Sequence, residues 1–313
     1  MGENLQAVKN VIEEVKKVVV GKEEVIELVM TAIIAKGHIL LEDIPGVGKT
    51  TMAMAFSKAM SLDVKRMQFT PDVLPSDVVG FNLIDKMGNY EYKPGAIMCN
   101  LFLADEINRT SPKTQSALLE VMEEGKITVD GVTRTLQRPF IVMATQNPVG
   151  SAGTQSLPES QLDRFMVKLS VGYPDITSEM EMLKNKQNKI SINDVRTVMS
   201  KEQLIFIQDT IANIFVNNAI LQYAASIAMV SRNNPYIKLG ISPRGTIAII
   251  SMAKAYAFVQ GRDYVIPTDI RHVLVPVVGH RIVLNAKARV DKVTIDMVVS
   301  DIVNSVKSPD VFQ

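Results

Sequence analysis

Residues 38–60 read HILLEDIPGVGKTTMAMAFSKAM: a short apolar run, a turn with two glycines, and a segment of helix-forming composition. A strand that turns on glycines straight into a helix lines up successive backbone N–H groups at the positive end of that helix, which makes a cradle for phosphate. This unit belongs to parallel sheets flanked by helices, so it constrains the fold as much as the chemistry. The pattern G-x-x-x-x-G-K-[ST] is met at Gly48, Lys49 and Thr50, but it asks for glycine where this chain has Asp43.

Pro45, Gly46, Val47, Gly48, Lys49, Thr50 and Thr51 are therefore the expected nucleotide contacts. Lys49 reaches the outer phosphates, and the Thr50 hydroxyl ligates Mg²⁺. Asp43 lies upstream of the cradle. A carboxylate aimed at a triphosphate is repulsive, so its side chain is expected to turn away from the nucleotide.

Further along, NLFLAD (100–105) and FIVMAT (140–145) are continuously apolar, as strands of a parallel sheet covered on both faces should be. MVKLSVGY (166–173) reads as another strand, and PKTQSALLEVMEEG as a helix stopped by glycine. KITVDGVTRTL carries Asp130-Gly131 between β-branched residues, the signal of a hairpin. The expected fold is α/β, a doubly wound parallel sheet, over residues 1–173 with two N-terminal helices included. A polar linker is expected at 174–200 and a helical domain at 201–313.

Strand ends carry the remaining chemistry. NLFLADE ends on Asp105, placed to hold Mg²⁺ through water, and Glu106, placed to orient and polarise an attacking water. FIVMATQNP ends on Asn147, whose amide can reach that water or the terminal phosphate, with Gln146 as its rival. LPESQLDRF puts Arg164 before the last strand. Within one chain its expected partner is Asp163; in a ring it would project toward the next subunit's nucleotide.

Lys+Arg 34 against Asp+Glu 33 gives a net charge of +1, which disfavours a motor that tracks a phosphate backbone. The single cysteine, Cys99, can form no intramolecular disulfide, and the three histidines make no Cys/His metal cluster. No window approaches the apolar length of a membrane span, and the first twenty residues lack a signal peptide's apolar core, so a cytoplasmic setting is expected.

The segments VVVGKEEV, EDIPGVGKT, FTPDVLPSDVVG, LFLADEINRTSPKTQSALLEVMEE, ATQNP, PESQLDRF and ISPRG together resemble the MoxR family of AAA+ ATPases over nearly the whole chain. The resemblance implies a P-loop AAA+ core with a C-terminal all-helical lid. It implies Lys49 and Thr50 as Walker A, Asp105 and Glu106 as Walker B, Asn147 as sensor 1, Arg164 as an arginine finger acting in trans, and Arg244 of ISPRG as sensor 2. Val20 and Gly21 would lie near the adenine, with Lys22 standing where the family more often has Gln. ATP and Mg²⁺, a homo-hexamer, and chaperone-like work with a von Willebrand factor A domain protein, in maturation, metal insertion or complex assembly, are further implications.

Other residues have plainer readings. Arg109 suits either a neighbouring subunit or a local ion pair. Arg134 and Arg138 lie on or after the hairpin, which in such a ring would face the pore but is otherwise a solvated surface. His272, His280 and Cys99 read as packing residues. Three alternative functions are a nucleotide-gated scaffold with incidental hydrolysis, a nucleic-acid motor and a small-molecule kinase. The second acid, Glu106, and the ring-type Arg164 weigh against the first.

Overall fold

The computed structural model describes residues 2–43, 46–84, 88–147 and 157–310. Helices α1 (Gly2–Lys16) and α2 (Glu23–Ile34) come first, followed by β1 (Ile39–Glu42), α3 (Lys49–Ala59), β2 (Val64–Gln68) and α4 (Pro75–Val79). A hairpin of β3 (Gly80–Ile84) and β4 (Tyr90–Pro94) precedes β5 (Leu101–Asp105) and α5 (Pro112–Glu124). The second hairpin, β6 (Lys126–Val129) and β7 (Val132–Thr135), turns at Asp130-Gly131 as expected, both with positive φ. β8 (Ile141–Gln146), the short α6 (Glu159–Leu162) and β9 (Val167–Leu169) complete the domain.

The central sheet has the order β2-β5-β8-β1-β9, and every pairing in it is parallel. Its apolar runs divide strictly by alternation. Ile39, Leu41, Leu101, Leu103, Ile141 and Met143 face the core shared with α1 to α3, while Leu40, Phe102, Ala104, Val142 and Ala144 face the core beneath α4 and α5. Both faces are covered, which is why these strands read as continuous apolar runs.

Three features depart from the sequence reading. The expected strand at 166–173 is only Val167–Leu169, because the groups at 170–172 leave the ladder to donate to the Asp43 carboxylate. The segment 174–200, expected as a linker, contains helix α7 (Ile176–Gln187), capped by the Asp175 side chain accepting from the Ser178 amide at 2.7 Å, and a 3-10 turn at Ile192–Asp194. β2 was not foreseen either: as an edge strand it keeps Lys65 and Arg66 partly in solvent and lacks an apolar run.

The lid follows with α8 (Lys201–Ile211), α9 (Asn218–Arg232), β10 (Ile237–Leu239), α10 (Pro243–Val259), α11 (Pro267–Val278), β11 (Val283–Leu284), α12 (Ala286–Val290) and α13 (Ile295–Ser305). It is helical apart from the short antiparallel ribbon of β10 and β11. One apolar core runs through both domains, from Val8, Ile33 and Phe56 to Leu204, Ile249 and Val273. The lid is thereby packed onto α1 and α2. Among the described residues, no helix is long and apolar enough to cross a membrane.

Candidate active site

β5, β8 and β1 are neighbours in the sheet, so their carboxyl ends bring three loops together. After β1, Gly46 and Gly48 both take φ 92°, a left-handed conformation that side chains resist, and Gly48 leads directly into α3. Lys49, the first residue of that helix, is buried, and its Nζ donates to the backbone carbonyl of Asp43 at 2.7 Å. Burial pushes the Lys49 pKa down from its ordinary value, and the nearby charges of Asp43, Asp105 and Glu106 push it back up. Pro45 lies outside the described residues.

The Asp43 carboxylate does point away from this cradle. It accepts from Ser170 Oγ at 3.1 Å, from the Val171 amide, and from the Gly172 amide at 3.2 Å. It is a clasp between the ends of β1 and β9.

At the end of β5, Asp105 is held on both oxygens, by Arg66 Nε at 2.6 Å and by the Thr145 hydroxyl at 3.2 Å. Glu106 sits at φ 56°, ψ 48°, a left-handed conformation rare outside glycine and characteristic of strained functional positions. The Thr145 hydroxyl accepts its backbone N–H at 2.9 Å and helps to hold that conformation. Arg109 pairs with the Glu106 carboxylate at 2.8 Å and Asn147 Nδ2 donates to it at 3.1 Å. Chiefly through Arg109, the carboxyl is held below its ordinary pKa and is ionised at neutral pH. Gln146, the rival of Asn147, turns instead to Glu42. Arg66 and Thr145 escaped the sequence reading: Arg66 lies in no motif, and Thr145, although within ATQNP, reads there as the last residue of an apolar strand.

Beside Thr50 and Thr51 opens a cleft of about 440 Å³, lined by Val18 and Val20 on one side and by Met182, Asn185 and Lys186 of α7 on the other. Gly21, at φ 69°, is pressed against Ser178 so closely that a Cβ would lie 1.9 Å from its Oγ. Lys22 donates to the Tyr173 carbonyl at 2.9 Å. The polar stretch expected as a linker therefore supplies a wall of the cleft.

Arg164 and Arg244 are elsewhere. Arg164 pairs with Glu123 of α5 at 3.4 Å, and Arg244, in the first turn of α10, pairs with the other oxygen of the same carboxylate. Asp163, the partner expected for Arg164, is taken by Arg281 at 2.7 Å. Met166, two residues beyond Arg164, donates to the carbonyl of His38, and His38 precedes β1. The two arginines thus lie at the amino edge of the parallel sheet and Lys49 at its carboxyl edge, separated by the length of β1, about 13 Å at roughly 3.3 Å per residue. Neither guanidinium stands at the phosphate loop of its own chain.

The plainer residues resolve simply. Arg134 lies over the Tyr92 ring at 3.9 Å, joining the two hairpins, and Arg138 bridges to Asp209 of the lid at 2.8 Å. His272 stacks on Tyr256, and burial pushes the Cys99 thiol up to about 12, which leaves it inert.

The model for the ATPase family associated with various cellular activities (AAA) matches residues 38–167, and the AAA lid domain model matches 229–302. These fall on the sheet domain and the lid, and the chain is an AAA+ ATPase, an enzyme that hydrolyses ATP. It is 36% identical over 318 residues to Chaperone MoxR1 of Mycobacterium tuberculosis, covering 98% of this chain and 84% of that one. It is 48% identical over 299 residues to the uncharacterized protein YeaC of Bacillus subtilis, covering 95% and 93%. A solved structure of a provisionally assigned ATPase from Cytophaga hutchinsonii superimposes with a TM-score of 0.91 at 38% identity, covering 98% of this chain and 96% of that one. The chain belongs to the MoxR family of AAA+ ATPases.

Proposed function

We propose that this protein is an oligomeric, Mg²⁺-dependent ATPase whose active sites form between adjacent copies and whose turnover remodels partner proteins. Lys49 and the N–H groups of residues 46–50 hold the triphosphate. The cleft between Val20, Gly21 and α7, next to Thr51, takes the adenine. Thr50 and Asp105 offer oxygen donors alone, which fits Mg²⁺, a cation that keeps several waters and takes few protein ligands. With its oxygens engaged by Arg66 and Thr145, Asp105 would hold the ion through water. Neutralising charge on the β and γ oxygens is the chemistry Mg²⁺ supplies when bound. Glu106, ionised and steadied by Asn147, orients the attacking water by accepting its proton.

The observation that carries the reading is the separation of Arg164 and Arg244 from their own phosphate loop. Arginines stabilise charge on a transferring phosphoryl group only in contact with it, so a second copy must receive them. The test is to mix two inactive variants. Arg164→Ala should lower turnover by roughly 10³-fold or more, and Lys49→Ala should abolish productive binding. A mixture should regain activity, because an intact loop on one chain meets intact arginines on the other. A mixture no more active than its parts would reject sites shared between copies.

A hexamer, a von Willebrand factor A domain partner, a role in maturation, metal insertion or complex assembly, and a cytoplasmic setting extend this proposal. They are supported by the family and by a relative named as a chaperone. The net charge of +1 supports protein over nucleic acid as the client. A pull-down with Glu106→Gln in ATP tests this. It should retain protein partners, and recovery of nucleic acid instead would redirect the assignment.

A further inference from the structure

Glu123 lies next to last in α5, and its two oxygens hold guanidinium groups from distant parts of the chain, Arg164 before β9 and Arg244 at the start of α10. The frames that carry those arginines are fixed. Asp163 accepts from Arg281 Nε at 2.7 Å and from the Ser242 hydroxyl at 3.0 Å, and Ser242 is the N-cap of α10. Arg281, buried, also donates to the carbonyls of Phe165 and Met166.

With the backbones set, what remains free is where the two guanidinium groups point. Two like charges placed side by side repel, and a carboxylate between them turns repulsion into a three-membered cluster of net charge +1. Arg164 Nε is buried and makes no hydrogen bond to the described residues. The other end of α5 is bolted to the turn that bears Glu106. Gln115 Nε2 donates to the carbonyls of Ile107 and Thr110 at 3.1 and 3.2 Å. One helix of 13 residues, about 20 Å at 1.5 Å per residue, therefore runs from the acids of one site to the arginines offered to another.

We propose that Glu123 is a positioning residue that assembles Arg164 and Arg244 into one preformed clamp for the triphosphate bound by a second copy of this chain. The proposal rests on the reading that Arg164 acts between copies. Preforming the clamp removes the ordering of two long side chains from the catalytic step, so its loss falls on kcat.

Glu123→Ala should lower kcat by about 10-fold or more while KM for ATP stays within about 3-fold, since the loop that binds ATP is untouched. Glu123→Gln, which keeps an acceptor oxygen without the charge, should fall between it and the native protein. Mixing locates the defect. Glu123→Ala with Lys49→Ala at equal amounts should restore about one quarter of the sites to full function, because half the loops and half the arginine faces are intact. Glu123→Ala with Arg164→Ala should show no gain, because both lesions lie on the same face.

Unchanged kcat in Glu123→Ala overturns the proposal, as does complementation of Arg164→Ala. If Arg164→Ala and Lys49→Ala complement each other but Glu123→Ala and Lys49→Ala do not, Glu123 acts on its own chain's site and this proposal alone fails. If neither pair complements, the shared site itself is wrong and both readings fall.

Discussion

The side-chain amide of Asn147 donates to the Glu106 carboxylate at 3.1 Å, linking the end of β8 to the turn after β5. With Arg109 on the other carboxylate oxygen, Glu106 is fixed in direction and kept ionised. Glu106→Gln should therefore bind ATP with near-native affinity and lose about 10²-fold or more in turnover. Asn147→Ala, which frees one side of the carboxylate, should lose less in kcat and little in KM. Steady-state kinetics with a fluorescent nucleotide titration reads both, and native turnover in Glu106→Gln would remove it from the chemistry.

The cleft proposed for the adenine gives a second expectation. Met182 is on its α7 wall and exposed, so a larger side chain there is compatible with folding. Met182→Trp fills space beside Thr51 and should raise KM for ATP by about 10-fold with kcat nearly unchanged, the signature of lost uniform binding. An unaltered KM would move the base out of this cleft.

Asp43 gives the third. Its carboxylate accepts from Ser170, Val171 and Gly172 and so turns away from the cradle. Asp43→Gly should leave ATP affinity within a few fold yet destabilise the fold. Orphaning buried N–H groups costs about 1–3 kcal/mol each, and in a chain of this size each kcal/mol shifts Tm by roughly 2–4 °C. Asp43→Asn, which keeps an acceptor, should lose less. A large drop in affinity at unchanged Tm would mean that the carboxylate meets the nucleotide.

His38 sets a pH dependence. Its Nδ1 accepts from the Val142 amide at 2.9 Å and its Nε2 faces the Met122 carbonyl at 2.9 Å, which defines a neutral ring protonated on Nε2. Burial pushes its pKa from 6.5 down to about 4. Between those values the unfolded chain binds the extra proton, so stability is fully present above pH 6.5 and falls as pH drops toward 4. The slope from this residue is up to about 1.4 kcal/mol per pH unit. Denaturant midpoints at pH 7 and 4.5 check this. His38→Gln should lose less between them than the native chain does; an equal loss would assign the acid sensitivity to other groups.

What the sequence made legible was chemistry carried by contiguous residues. Lys49 and Thr50 follow their strand within ten residues, and Asp105 and Glu106 sit at the end of an apolar run, so local spacing alone brings them together. The Arg66–Asp105 pair spans 39 residues and Arg244–Glu123 spans 121, and nothing in local spacing announces either. α7 was hidden for another reason. Of its twelve residues only Ser178 is buried, so it lacks the apolar periodicity that marks a packed helix, although its exposed face lines the cleft beside Thr51. Asp163 misled because the nearest opposite charge in sequence belongs to another cation in space.

The buried Arg281 has a mechanical consequence. By gripping Asp163, Phe165 and Met166 it rivets the lid to the amino edge of the sheet of its own chain, and the common core from Val8 to Val273 fills the joint. Turning the lid against the sheet would have to break these buried hydrogen bonds and part that core. Were copies to assemble through Arg164 as proposed, lid and sheet of one chain would meet the next copy as one surface, since Arg281 joins them.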